Sequence, residues 1–254
     1  MPDLHSLATR WLGVGLASIL SVVTLSLAFT DRLGLYINPD STWFAVSMAI
    51  FVLVGAIASF ALPLGAEADH GHDHGDAPAP AVAHDRGHPG AIAASAVGGV
   101  AASGIVVLTL VLPPASLSAE LAMSRDTGAA PLFAGQDTVA LATTGDTDSF
   151  GVGEWASVFA TATNPDAFDG DEVELTGFVT PGDGGEFDLT RLVITHCVID
   201  AQPASLPVVG VDAAPETGQW VTITGTVRAS SDGRLAVDAA SVTPIDEPEN
   251  PYEF

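Results

Sequence analysis

Three long runs without a charged residue limit what this chain can become: 11–29, 43–62 and 91–112. A helix of about 20 apolar residues is what a hydrocarbon core of ~30 Å requires, and each run is that long. Pro39 precedes the second run, Pro63 closes it, and Pro113-Pro114 follows the third. Trp11, Trp43 and Phe44 stand where aromatic side chains anchor a helix at the membrane interface. The first run could also be read as a signal peptide, but it is longer than the usual apolar core and lacks a clear A-x-A site. The third is rich in small residues (Gly98, Gly99, Gly104), which let membrane helices pack closely. The reading is three membrane helices in residues 1–113.

Lys is absent, so only arginines can orient the spans. Arg10 and Arg86 fall on one side of a three-span chain, Arg32 and Arg125 on the other. The expected arrangement is a multi-pass protein of the cell membrane. Its N-terminus and the 66–90 loop lie inside and its C-terminal domain is extracytoplasmic. The formal net charge is -24, and from Pro114 onward 23 acidic residues face four arginines. Such a surface repels phosphate backbones, so no nucleic-acid partner is expected. A single cysteine, Cys197, excludes an intramolecular disulfide.

Between the second and third runs, residues 66–90 hold five of the seven histidines: His70, His72, His74, His84 and His88. The first three lie in D-H-G-H-D-H-G with Asp69 and Asp73. Imidazole nitrogens and carboxylate oxygens are ligands for divalent first-row metals, and zinc suits this mixed set. The alternating spacing fits loose, exchangeable capture better than a rigid structural site. The competing reading is a polar linker that happens to be His-rich.

Residues 114–150 read as a linker. Gly151 to Ala162 offers a short amphipathic helix with Trp155, Val158 and Phe159 on one face, ended by Asn164-Pro165. The period then changes to two. Val173, Leu175, Gly177 and Val179 form one strand. Phe187 and Leu189 share a face in the next, but Leu192, Ile194 and His196 have the other parity, which a bulge near Thr190-Arg191 would reconcile. Residues 206–211 make a third strand. Val221, Ile223, Gly225 and Val227 make a fourth, and Leu235, Val237 and Ala239 a fifth. Five short strands separated by Gly, Pro and Asp turns predict a small OB-like β-barrel in residues 151–254, with a β-sandwich as the alternative. The fold class expected is therefore an α + β membrane protein, three transmembrane helices followed by an OB-like barrel.

Inside the barrel domain, Thr195-His196-Cys197-Val198-Ile199-Asp200-Ala201 gathers the remaining chemistry. In an extended strand His196 and Cys197 point to opposite faces. If the chain turns here, Cys197 and Asp200 can approach, and His196, Cys197 and Asp200 would make a plausible zinc set. A Cys nucleophile with a His base is the catalytic alternative, with poor geometry for adjacent residues. The bland alternative is a packed Cys with His196 hydrogen-bonded nearby. No P-loop, G-x-G-x-x-G, H-E-x-x-H or G-x-S-x-G pattern is present. No charge lies inside the three runs, and three helices are few for a transporter built from repeats. The sequence reads as an accessory subunit, not an enzyme and not a pore.

The order of these parts is distinctive. Two apolar runs, a His/Asp-rich loop and a third run ending V-L-P-P lead to a β-domain with L-T-R-L-V-I-T-H-C-V-I-D-A and the ending E-P-E-N-P-Y-E-F. Together they resemble the bacterial YcgQ-like family of permease subunits, over essentially the whole chain. The most specific parts are Arg191 with His196-Cys197, Asp200-Ala201 and Pro251-Tyr252. The resemblance implies a two-component membrane permease with a larger multi-span partner subunit and a link to zinc or another divalent metal. The loop here has fewer His than many members and no Cys, and the lack of Lys is a further departure.

Overall fold

The computed structural model describes residues 4–59, 97, 100, 101, 103, 104, 108, 117, 119–125, 147, 149–182, 186–231 and 233–254. The chain divides into two compact units, one of residues 1–33 and 40–114, the other of residues 34–39 and 115–254.

In the first unit, helix α1 (Leu4–Phe29) packs against helix α2 (Thr42–Ser59). Their buried positions carry small side chains, Ser21 on α1 and Ala49 and Ala56 on α2. The Ser21 hydroxyl donates to the Ala17 carbonyl at 2.9 Å, so no polar atom is left bare. The outer faces are apolar: Phe51 is 72% exposed and Ile57 64%. A helix pair with small residues inside and large apolar ones outside is inverted relative to a water-soluble bundle. Both helices are long and apolar enough to cross a membrane. Of the third run, Val97, Val100, Ala101, Ser103, Gly104 and Leu108 are helical, and the rest lies outside the described residues.

The second unit is built on a closed five-stranded barrel. Its strands are β1 (Glu172–Pro181), β2 (Phe187–Val193), β3 (Gln202–Val209), β4 (Trp220–Ala229) and β5 (Leu235–Pro244). The order around the ring is β1-β4-β5-β3-β2, closed by β2 onto β1. Closure depends on β1 serving two neighbours. Glu172 to Phe178 pairs with β4, and Phe178 to Pro181 pairs with β2. Gly177 sits at this changeover, where an added Cβ would lie 2.6 Å from the Thr190 carbonyl oxygen. All pairings in the ring are antiparallel except β3–β5. A short strand β6 (Tyr252–Glu253) adds in parallel to β2.

The interior is filled by the residues of the expected alternation, among them Leu175, Val179, Leu189, Leu206, Ile223, Val227 and Val237. Helix α4 (Val152–Thr161) contributes Val152, Trp155 and Val158 to the same core. Trp155 is flanked edge-on by Phe150, Phe159 and Phe168, an arrangement that stabilises beyond its buried area. The preceding short helix α3 (Ala119–Arg125) packs outside the barrel on β3 and β1.

β2 departs from the sequence expectation. No bulge occurs at Thr190-Arg191; β2 and β3 stay in register from Phe187↔Val208 to Val193↔Gln202. Both faces of β2 are buried instead. Phe187 and Leu189 point into the barrel, whereas Leu192 and then Ile194 enter a second cluster with Ala122, Phe178, Ala201 and Tyr252. The register shift lies in the β4–β5 pair, between Thr224 and Gly225.

Candidate functional site

β2 ends at Val193, and Ile194, fully buried, donates its N–H to the Glu253 carbonyl at 2.9 Å. The chain then turns, leaving the amides of Thr195, His196 and Cys197 without a strand partner. Asp200 supplies one. Its carboxylate accepts the N–H of Thr195 at 3.2 Å, of His196 at 3.0 Å and of Cys197 at 3.3 Å. A single 3₁₀ turn, Val198–Asp200, brings it back. This is the local use for which Asp is favoured in turns, a side chain replacing missing backbone partners.

The outer side of the turn is paired with the segment between α1 and α2. Ile37 and Cys197 form an antiparallel bridge. Val198 N–H donates to the Tyr36 carbonyl at 2.8 Å, and Asn38 N–H to the His196 carbonyl at 3.0 Å. The Asn38 side-chain amide donates to the carbonyls of Ile194 and Thr195 at 3.3 and 3.1 Å. Leu35 packs on the second apolar cluster. Residues 34–39 are thus a strap on the barrel domain, although in the chain they lie 156 residues before the turn they pair with, as Asn38 and Ile194 show.

Of the expected set, the turn brings His196 and Asp200 together. His196 Nδ1 lies 3.1 Å from Asp200 Oδ2, and the imidazole is 82% exposed. Where the carboxylate accepts from Nδ1–H, Nε2 is the ring nitrogen left over, on a side chain that is mostly exposed. Cys197 is half-buried and held by its backbone in the bridge to Ile37. The Asp200 oxygens that a metal would need already receive three amides. Among the described residues, no group of three or more His, Cys, Asp or Glu could hold a metal ion. His70, His72, His74, His84 and His88, with Asp69 and Asp73, lie outside the described residues.

A second constellation includes Arg191 and Pro251-Tyr252, singled out in the sequence by resemblance alone, and adds Glu253, which was not. The Arg191 guanidinium donates to the carbonyls of Thr176 at 2.9 Å, Asn250 at 2.7 Å and Pro251 at 3.2 Å. It also lies over the Trp220 ring, 5.3 Å from its centre. Burial lowers its pKa, opposed by nearby Glu253. The Glu253 carboxylate accepts the N–H of Val152 at 3.0 Å and of Gly153 at 2.6 Å, capping α4. Burial pushes this carboxyl above its ordinary range. The two amides and Arg191 oppose the shift, and Glu154 adds to it. The Tyr252 hydroxyl accepts the Leu117 N–H at 2.9 Å. One signal for this cap was available. Gly151, at the N-cap, has no side chain to offer, so the first amides of α4 need an acceptor from elsewhere.

Two concavities accompany these sites. A cleft of about 500 Å³ is bounded by Phe150 and Trp155, by Glu172 and Glu174 of β1, and by Thr224 and Thr226 of β4. A smaller one, about 150 Å³, lies between α3 and the barrel. There Thr180, Thr190 and Ser205 form a hydroxyl chain, with oxygens 2.6 and 2.8 Å apart.

No curated protein matches the chain. Among solved structures it is similar to the crystal structure of a DUF3299 family protein from Pseudomonas aeruginosa PAO1. The identity is 22%, over 53% of this chain and 98% of that chain, with a TM-score of 0.22. Helix α4, the barrel, the His196–Asp200 turn and the Arg191–Glu253 clamp all lie in or beside residues 154–254, the part of the chain that matches the DUF1980 C-terminal domain family.

Proposed function

We propose that this chain is an accessory subunit of a two-component membrane permease, working beside a larger multi-span permease subunit and linked to zinc or another divalent metal. The observation that carries the reading is the D-H-G-H-D-H-G segment placed between two uncharged runs. It follows α2, a helix long and apolar enough to cross a bilayer. The YcgQ-like resemblance points the same way, as does a C-terminal barrel held by the residues that carry that resemblance. In this reading α1, α2 and residues 91–112 are three spans, the 66–90 loop concentrates the ion, and the OB-like barrel meets the partner. His196, with Nε2 free and Nδ1 steadied by Asp200, offers a single exposed ligand there. The test is equilibrium dialysis with zinc on the purified full chain, against a variant with His70, His72, His74, His84 and His88 all changed to Ala. A lower zinc stoichiometry for the variant is expected, and equal stoichiometry removes the loop.

The cleft beside Trp155 favours a second reading, a membrane-anchored binding module whose barrel takes a peptide, partner protein or small ligand. Thr224→Arg would fill that cleft. Loss of a co-purifying partner with zinc stoichiometry unchanged would support this reading over the first.

A further inference from the structure

The strap formed by residues 34–39 belongs to the barrel domain by its hydrogen bonds, yet it is the direct lead-in to α2. Ile37 is only five residues from Thr42, a reach of at most ~18 Å even when fully extended. The barrel therefore lies on whichever side of the bilayer the strap does. After the strap, α2 crosses. The chain leaving Ser59 then starts on the opposite side, and it must return before Ala119, where α3 packs on the barrel. One uncharged run, 91–112, lies in between.

We infer that the barrel and its strap occupy one side of the membrane and that residues 66–90 occupy the other, with one crossing in 91–112. The inference rests on the reading of α2 as a span and does not use α1. It deepens the proposed function in a definite way. The imidazoles of the loop and the exposed His196 face different compartments, so they cannot share an ion. The subunit meets metal on one face and presents its barrel to a partner on the other. The three-span order already sets loop and barrel apart, and the strap reaches the same arrangement independently, from the hydrogen bonds of residues 34–39 to the barrel domain.

Two measurements on the full chain in native membranes test this. Cys197 is the only cysteine, so Cys197→Ala gives a clean background. On it, Ser231→Cys reports the barrel and Ala79→Cys the loop, each treated with a membrane-impermeant maleimide in intact spheroplasts and in inverted vesicles. Opposite patterns for the two sites are expected. Labelling from the same side, in a chain that resists carbonate extraction, overturns the inference and leaves the membrane reading standing. Release of the chain by carbonate overturns both. The strap is tested by Ile37→Cys with native Cys197 retained. Facing residues of an antiparallel pair are close enough for a disulfide. After oxidation and cleavage at a protease site introduced within 126–146, the two fragments should stay joined until reduced. Fragments that separate without reductant, with both thiols still free, overturn the inference.

Discussion

Glu253 caps the helix that begins at Val152, reaching across 101 residues of sequence to accept its first amide at 3.0 Å. A helix with Gly at its N-cap thereby gains a carboxylate at its positive end, and the carboxylate gains two donors that offset its burial. This one contact joins the last strand to the barrel's plug.

Glu253→Gln is expected to destabilise the barrel domain by about 1–2 kcal/mol at neutral pH, because the amide nitrogen would face a donor. The pH dependence has a definite sign. The folded-state pKa is raised above the ordinary glutamate value near 4.5, first by burial. The native state therefore holds this proton more tightly than the unfolded chain. Its contribution is complete below about 4.5 and is lost as pH rises through the folded value. Thermal unfolding should show a larger gap between wild type and variant at about pH 4 than at about pH 7.5. A gap that shrinks toward acid would refute the assignment.

Arg191→Lys should cost about 2–4 kcal/mol. A single ammonium cannot serve three carbonyls spread over Thr176, Asn250 and Pro251, nor stack on Trp220 as the planar guanidinium does. Denaturant titration followed by tryptophan fluorescence reads the loss. A variant within about 0.5 kcal/mol of wild type would show that the clamp is ornamental.

His196→Ala and Asp200→Ala should differ sharply. The exposed imidazole can be removed with a change within about 0.5 kcal/mol. Losing the Asp200 carboxylate strands the amides of Thr195, His196 and Cys197 and should cost about 1–3 kcal/mol. Equal effects in calorimetry would mean that the turn is held by something other than Asp200.

At the register shift in β4, Gly225 lies against the Asp238 carbonyl, with the Ala239 Cα 3.0 Å from where a Cβ would sit. Gly225→Ala should therefore cost about 1–3 kcal/mol by forcing β4 and β5 apart. Gly34→Ala, with open space at its Cβ position, serves as the control and should melt with the wild type.

Much of the barrel was legible where one strand face is buried and the other is wet. Leu175, Val179, Ile223, Val227 and Val237 alternate in the sequence and line the interior. β2 was misread because Tyr252, Ala122 and Ala201 cover its outer face, which erases the period-two signal at Leu192 and Ile194. β6 is two residues long and carries no pattern of its own. In the His196–Asp200 turn, residue types that suit a metal were visible, but not that Asp200 would serve backbone amides. Side-chain competition for unpaired N–H groups depends on where a strand ends, and spacing does not encode that.

The position of the Arg191–Glu253 clamp also sets the order of assembly. Arg191 emerges from the ribosome some 60 residues before the carbonyls of Asn250 and Pro251 that engage it, and α4 precedes its cap by 101 residues. Until synthesis passes Glu253, the plug helix lacks its cap and a guanidinium lacks two of its acceptors. The nascent barrel domain therefore lacks these contacts while the apolar helices ahead of it are already made, and its final packing is a late event in the making of the chain.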